Sequence, residues 1–89
     1  MMKINNMISN KGNSIANQFE IYDGRKTYFQ SYGSIIVMID RKDNKTYLDE
    51  RYWDYSVTTG KYRNMFLREK KAETQKKIDS GVYILTNLN

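Results

Sequence analysis

The chain has 89 residues, 39% of them hydrophobic and 13% aromatic, with 15 basic and 10 acidic side chains for a net charge of +5. It has no cysteine and no histidine, which excludes disulfides, thiol nucleophiles, zinc sites of the usual ligand set and histidine acid–base catalysis. A chain this short buries roughly 60–65% of its unfolded surface around one small core, so a single domain over residues 1–89 is expected.

There is no run of ~18 apolar residues and no signal-peptide pattern, so the expectation is a soluble protein that stays where it is made and does not enter a membrane. Met1 to Ile8 mixes Ile4, Met7 and Ile8 with Lys3, Asn5 and Asn6, which predicts an edge strand or a frayed end; Ser9 to Ser14 reads as a loop. Gln18 to Tyr22 alternates, with Phe19 and Ile21 on one face and Gln18, Glu20 and Tyr22 on the other. Asp23-Gly24 is a hairpin signal, and Thr27 to Tyr32 resumes the alternation, so these two runs should pair antiparallel. After a turn at Gly33-Ser34, Ile35 to Ile39 is an unbroken run rich in β-branched residues, the sequence of a central strand covered on both faces. Asp40 to Lys45 is a charged turn without the alternating carboxylates and glycine of a calcium loop, and Thr46 to Leu48 is a short fourth strand.

Tyr52 to Leu67 holds the only tryptophan and three of the eight tyrosines, and marks the corner where sheet gives way to helix. Thr58 or Thr59 is placed to cap a helix. Tyr62, Met65, Phe66 and Glu69 share one helical face, and Leu67, Lys71, Thr74 and Ile78 share another, about 150° away at 3.6 residues per turn. One straight helix cannot bury both against one sheet. Two helices near residues 59–68 and 72–80 follow, bent around Glu69 to Lys71, with Gly81 at the C-terminal cap and Val82 to Leu85 as a closing strand. The fold class is α+β: a small antiparallel meander of three to five strands with one or two C-terminal helices packed on it.

Thr58-Thr59-Gly60-Lys61 has part of a phosphate-loop pattern but lacks the earlier glycine and the hydroxyl residue after Gly-Lys, so it reads as a helix start. Asp49, Glu50 and Asp54 are the best carboxylate cluster for metal-dependent chemistry; three acids on a strand-to-loop edge are more commonly just solvated. Charge is uneven: residues 1–60 carry 8 basic and 7 acidic side chains, and residues 61–89 carry 7 and 3, a net of +4. The candidate binding set is therefore Lys61, Arg63, Arg68, Lys70, Lys71 and Lys77, with Lys76 alongside and Tyr52, Tyr55 and Tyr62 interleaved for stacking. The plain alternative makes Trp53, Tyr62 and Phe66 core residues and the lysines a solvated face.

Ala16-Asn17-Gln18-Phe19, Tyr28-Phe29-Gln30-Ser31-Tyr32, Trp53-Asp54-Tyr55-Ser56, Lys61-Tyr62-Arg63-Asn64 with Phe66-Leu67, Glu73-Thr74 with Lys77-Ile78, and Leu88-Asn89 resemble a family of small, uncharacterised proteins encoded by bacteriophages and prophages of low-GC bacteria. The resemblance covers nearly the whole chain after about Asn10. It brings no activity and no catalytic residues. It implies a phage setting in the host bacterial cytoplasm, where small accessory proteins, anti-CRISPR inhibitors among them, act by binding host machinery. The expectation is a non-enzymatic accessory protein that binds and modulates or inhibits a host protein or nucleoprotein of the defence kind, with no cofactor and no metal. The alternatives are direct nucleic-acid binding through the basic helices and, third, a metal-dependent enzyme at Asp49, Glu50 and Asp54. A homo-oligomer is open.

Overall fold

A computed structural model describes residues 2–89. Strands β1 (Met2–Ile8), β2 (Ser14–Asp23), β3 (Lys26–Ser31), β4 (Ser34–Asp40) and β5 (Lys45–Asp49) are followed by helices α1 (Val57–Leu67) and α2 (Lys71–Asp79) and by strand β6 (Tyr83–Thr86). The strands form one sheet in sequence order. The first four pairings are antiparallel, as expected, whereas β6 lies parallel to β5. The expected count of three to five strands is thus one short, and the all-antiparallel expectation fails at one edge. The reason is the connection. The chain leaves β5, builds two helices over the sheet and so has the length that a return in the same direction requires.

Turn chemistry sets the meander. Gly24 (φ 59°) takes the first position of the two-residue loop between Asp23 and Lys26, a left-handed conformation that costs glycine little. The next turn is centred on Tyr32-Gly33, one residue earlier than Gly33-Ser34, with Tyr32 itself left-handed (φ 56°) and its amide bonded to the Asn17 carbonyl at 2.7 Å. Within β4, Phe29 pairs with Val37 and Gln30 with Ile35, so Ile36 is an extra residue at a bulge. The bulge is why Ile36 and Val37, neighbours in sequence, both enter the core.

Both helices cover the same face. The core consists of Met7, Phe29, Ile36, Val37, Leu48 and Tyr83, with Ile15, Ile39, Tyr52, Trp53, Tyr62, Phe66, Leu67 and Ile78 packed against it. The Phe66 ring stacks on Phe29 with centroids 5.6 Å apart. Register then assigns β2 its sides. Glu20 lies opposite Phe29 and Gln18 opposite Ser31, so Gln18, Glu20 and Tyr22 face the helices, while Phe19 and Ile21 point to the other side. β4 is central, as expected, but only one of its faces is covered.

The helix boundaries agree with the two-helix expectation. The cap does not. Ser56, rather than Thr58 or Thr59, accepts the Thr59 amide at 3.1 Å. Thr59 is instead fully buried, its hydroxyl 2.9 Å from that of Ser31 on β3. Arg68 ends α1 in a left-handed conformation (φ 57°), and Gly81 (φ 82°) follows α2 as expected, its amide donating to the Ile78 carbonyl.

Candidate functional site

The loop from Glu50 to Ser56 runs from β5 to α1, and it is held by a side chain expected on the surface. Arg63 is 1% exposed. Its Nη1 donates to the Trp53 carbonyl at 2.7 Å and to Asp54 Oδ1 at 3.0 Å, and its Nη2 donates to Asn64 Oδ1 at 3.1 Å. The guanidinium also sits 5.2 Å from the Trp53 ring. Arg63 therefore belongs to the interior, which corrects its assignment to a binding surface. The cause is geometric: α1 turns the Thr59–Gly60–Arg63 side inward, and the small residues leave room for a guanidinium beneath the helix.

The three carboxylates seen as one cluster serve different parts of the fold. Asp49 is buried; its Oδ2 accepts the amides of Arg51 and Tyr52, and its Oδ1 accepts the amide of Leu88. Burial pushes its pKa up, but these donors and the Asn89 side chain outweigh burial and hold it below the ordinary value. Asp54 bridges Arg63 and Lys71, whose Nζ lies 2.6 Å from its Oδ2. Burial again pushes the carboxyl up, and the two cations bring it below its usual value. Glu50 is exposed. Among the described residues, no group of three His, Cys, Asp or Glu side chains is placed to hold a metal ion.

A second polar knot, absent from the sequence reading, joins the two helices to β6. Glu69 Oε1 accepts from Lys77 Nζ at 2.7 Å and from the Tyr83 hydroxyl at 2.9 Å, while Oε2 accepts from the buried Thr74 hydroxyl. Lys77 is half-buried and committed to this knot rather than to a surface. Its spacing from Glu69, eight residues across a helix break, carries no recognisable sequence signal. Gln18, buried opposite Ser31, is the other residue missed, and its side-chain amide has no hydrogen-bond partner.

Lys61, Arg68, Lys70, Lys71 and Tyr55 are exposed, while Tyr52 packs half-buried against the core with the Tyr55 ring edge-on at 5.3 Å. Lys61 from α1 and Lys71 from α2 line one cleft of about 460 Å³, together with Ser56, Gly60 and Asn64 and with Arg63 and Asp54 at its wall. Its lining holds three cations against one carboxylate. The remaining pair, Arg68 and Lys70, lies on the joint between the helices, and Arg68 reaches a separate cleft with Glu20, Tyr22 and Arg41. No helix among the described residues is long and apolar enough to cross a membrane.

Residues 2–81 match the model of a family of unknown function, DUF8033, and the chain belongs to that family. No curated protein and no solved structure matches the chain.

Proposed function

We propose that this family member is a non-enzymatic accessory protein that acts by binding, presenting Lys61, Arg68, Lys70 and Lys71 to an acidic surface. The observation that carries this reading is the cleft between α1 and α2, which Lys61 and Lys71 line, with Arg68 and Lys70 on the joint between the two helices. Its one carboxylate, Asp54, is already neutralised by Arg63 and Lys71, so an arriving carboxylate or phosphate meets an excess of positive charge. The use of Asp49 and Asp54 as internal acceptors supports binding over carboxylate catalysis. In the setting implied by the motif resemblance, a phage gene acting in the host bacterial cytoplasm, the partner is a host protein or nucleoprotein, with a defence nucleoprotein as the leading candidate. The protein would then modulate or inhibit that target.

Direct nucleic-acid binding is the second reading, favoured by exposed Tyr55 next to Asp54 of the cleft, which offers a ring for base stacking. The deciding experiment is capture from a bacterial host lysate, with and without nuclease, by the wild type and by Lys61→Glu/Lys70→Glu. That variant leaves the Lys71–Asp54 pair intact. The proposal expects one saturable, nuclease-resistant protein partner that the variant loses while remaining folded. Nuclease-sensitive capture that weakens steeply with salt favours the second reading. Capture unaffected by the reversal refutes both.

A further inference from the structure

The face of the sheet away from the helices carries a continuous apolar row. Register aligns Ile4, Ile21, Tyr28, Met38, Tyr47 and Ile84 in one continuous row across all six strands. Phe19 and Ile35 flank it, paired with Asn6 and Gln30. None of these side chains belongs to the core cluster between sheet and helices; Ile4 is 60% exposed, Tyr28, Met38, Tyr47 and Ile84 are half-buried, and Ile21 is buried among its neighbours in the row. An antiparallel sheet with one wet face ordinarily shows polar residues there, and a contiguous apolar patch marks an interaction surface.

The charged row beside this stripe indicates what covers it. Asp23 on β2 and Lys45 on β5 lie on the same side as Ile21 and Tyr47, both exposed, and neither makes an ion pair within the described residues. They are placed symmetrically about the line between β3 and β4. A two-fold axis along that line, parallel to the strands, sets each Asp23 against the Lys45 of a second copy. The same axis puts Tyr28 on Met38, Ile21 on Tyr47 and Ile4 on Ile84 of the other chain. The surface is thus complementary to itself, the condition for an isologous dimer. With strands about 4.8 Å apart and about 3.4 Å per residue, the face covers roughly 600 Å² per copy, so a pair reaches the ~1,200 Å² at which stable interfaces begin.

We infer that two copies of this chain pack sheet to sheet through this face, as an aligned sandwich with the helices outermost. The inference is independent of the cation-lined cleft, which lies in the helix layer and stays open in such a dimer.

The test is sedimentation equilibrium over a concentration series, with circular dichroism to confirm folding. Wild type should show twice the chain mass. Met38→Glu, at the centre, and Ile4→Lys, at an exposed edge position that folding tolerates, should both sediment as folded monomers. Asp23→Lys alone should weaken dimerisation roughly tenfold, because the two-fold repeats each lost pair, and adding Lys45→Asp should restore it. A wild type that is monomeric throughout, whatever other partner the face then takes, overturns the inference. So does a dimer that survives folded Met38→Glu and Ile4→Lys, or a double swap that restores nothing.

Discussion

Replacing Arg63 by alanine removes three hydrogen bonds from the interior of the corner between sheet and helix. The Trp53 carbonyl and the Asn64 side chain each lose a donor, and an unpaired buried acceptor costs about 1–3 kcal/mol. Stripping one partner from a buried ion pair costs about 3–5 kcal/mol. Asp54 keeps Lys71 at 2.6 Å and its side chain is 29% exposed, so solvent screening takes its loss below that range, to about 2 kcal/mol, and the half-buried Trp53 and Asn64 acceptors add about 1 kcal/mol each. About 4 kcal/mol in total is expected, which at ~4–8 °C per kcal/mol lowers Tm by roughly 15–30 °C. For a domain with ~5–15 kcal/mol in hand, that is close to unfolding. Thermal melts followed by circular dichroism measure it, with Lys61→Ala as the exposed control, expected within about 0.5 kcal/mol of wild type. Trp53, the only tryptophan, reports separately: with the guanidinium gone from its 5.2 Å position, its emission should shift as the loop opens. Arg63→Lys should fall between the two, since one ammonium cannot reproduce a planar fork. If Arg63→Ala melts with Lys61→Ala, the guanidinium does not hold the corner and the account of its burial fails.

Two further outcomes follow from the polar interior and the helix joint. Asp49, Asp54 and Glu69 have folded pKa values below their ordinary 3.8, 3.8 and 4.5, so each contributes stability that is present above the unfolded value and lost as pH falls through the folded one. Tm measured by calorimetry should therefore drop steeply below about pH 4, and a constant Tm from about pH 5 to 3 would contradict the three sets of hydrogen bonds. Arg68→Gly should stabilise by about 1 kcal/mol in urea titrations, because the left-handed C-cap strains any side chain but not glycine; destabilisation would mean that the Arg68 side chain itself holds the joint.

Local signals carried most of the fold into the sequence. The Asp23-Gly24 turn, the break between two helices and Gly81 each depend on a few neighbouring residues, and each appears where it was expected; the two stripes hold only in part, since Met65 and Lys71 are exposed and Glu69 lies between the helices. What was illegible depends on distant ones. Nothing in Gln18 to Tyr22 says that its polar side faces the helices; that follows from pairing with β3 and from the left-handed Asn17 just before it. Arg63 sits in a basic run, and its burial comes from Thr59, Gly60 and the Trp53 carbonyl, contacts that composition cannot reveal. The direction of β6 was equally hidden, because four residues of strand fit either edge direction. Within the candidate site, Lys61, Arg68, Lys70 and Lys71 were readable as exposed cations, since surface lysine needs no partner.

The sequential strand order also bears on how the chain reaches this structure. Every pairing from β1 to β5 joins neighbours through a short turn, so these contacts close small loops and form quickly. Only the last pairing, which brings Leu85 beside Leu48, spans a long stretch of chain. During synthesis the five-stranded meander emerges before either helix exists, leaving Phe29, Val37 and Leu48 uncovered on one side. The slow, committing event is then the arrival of the helices and β6, when Leu88 reaches Asp49 and Tyr83 reaches Glu69. Until that moment the β5 edge is an open ladder, and the vulnerability of the nascent protein to aggregation is concentrated there.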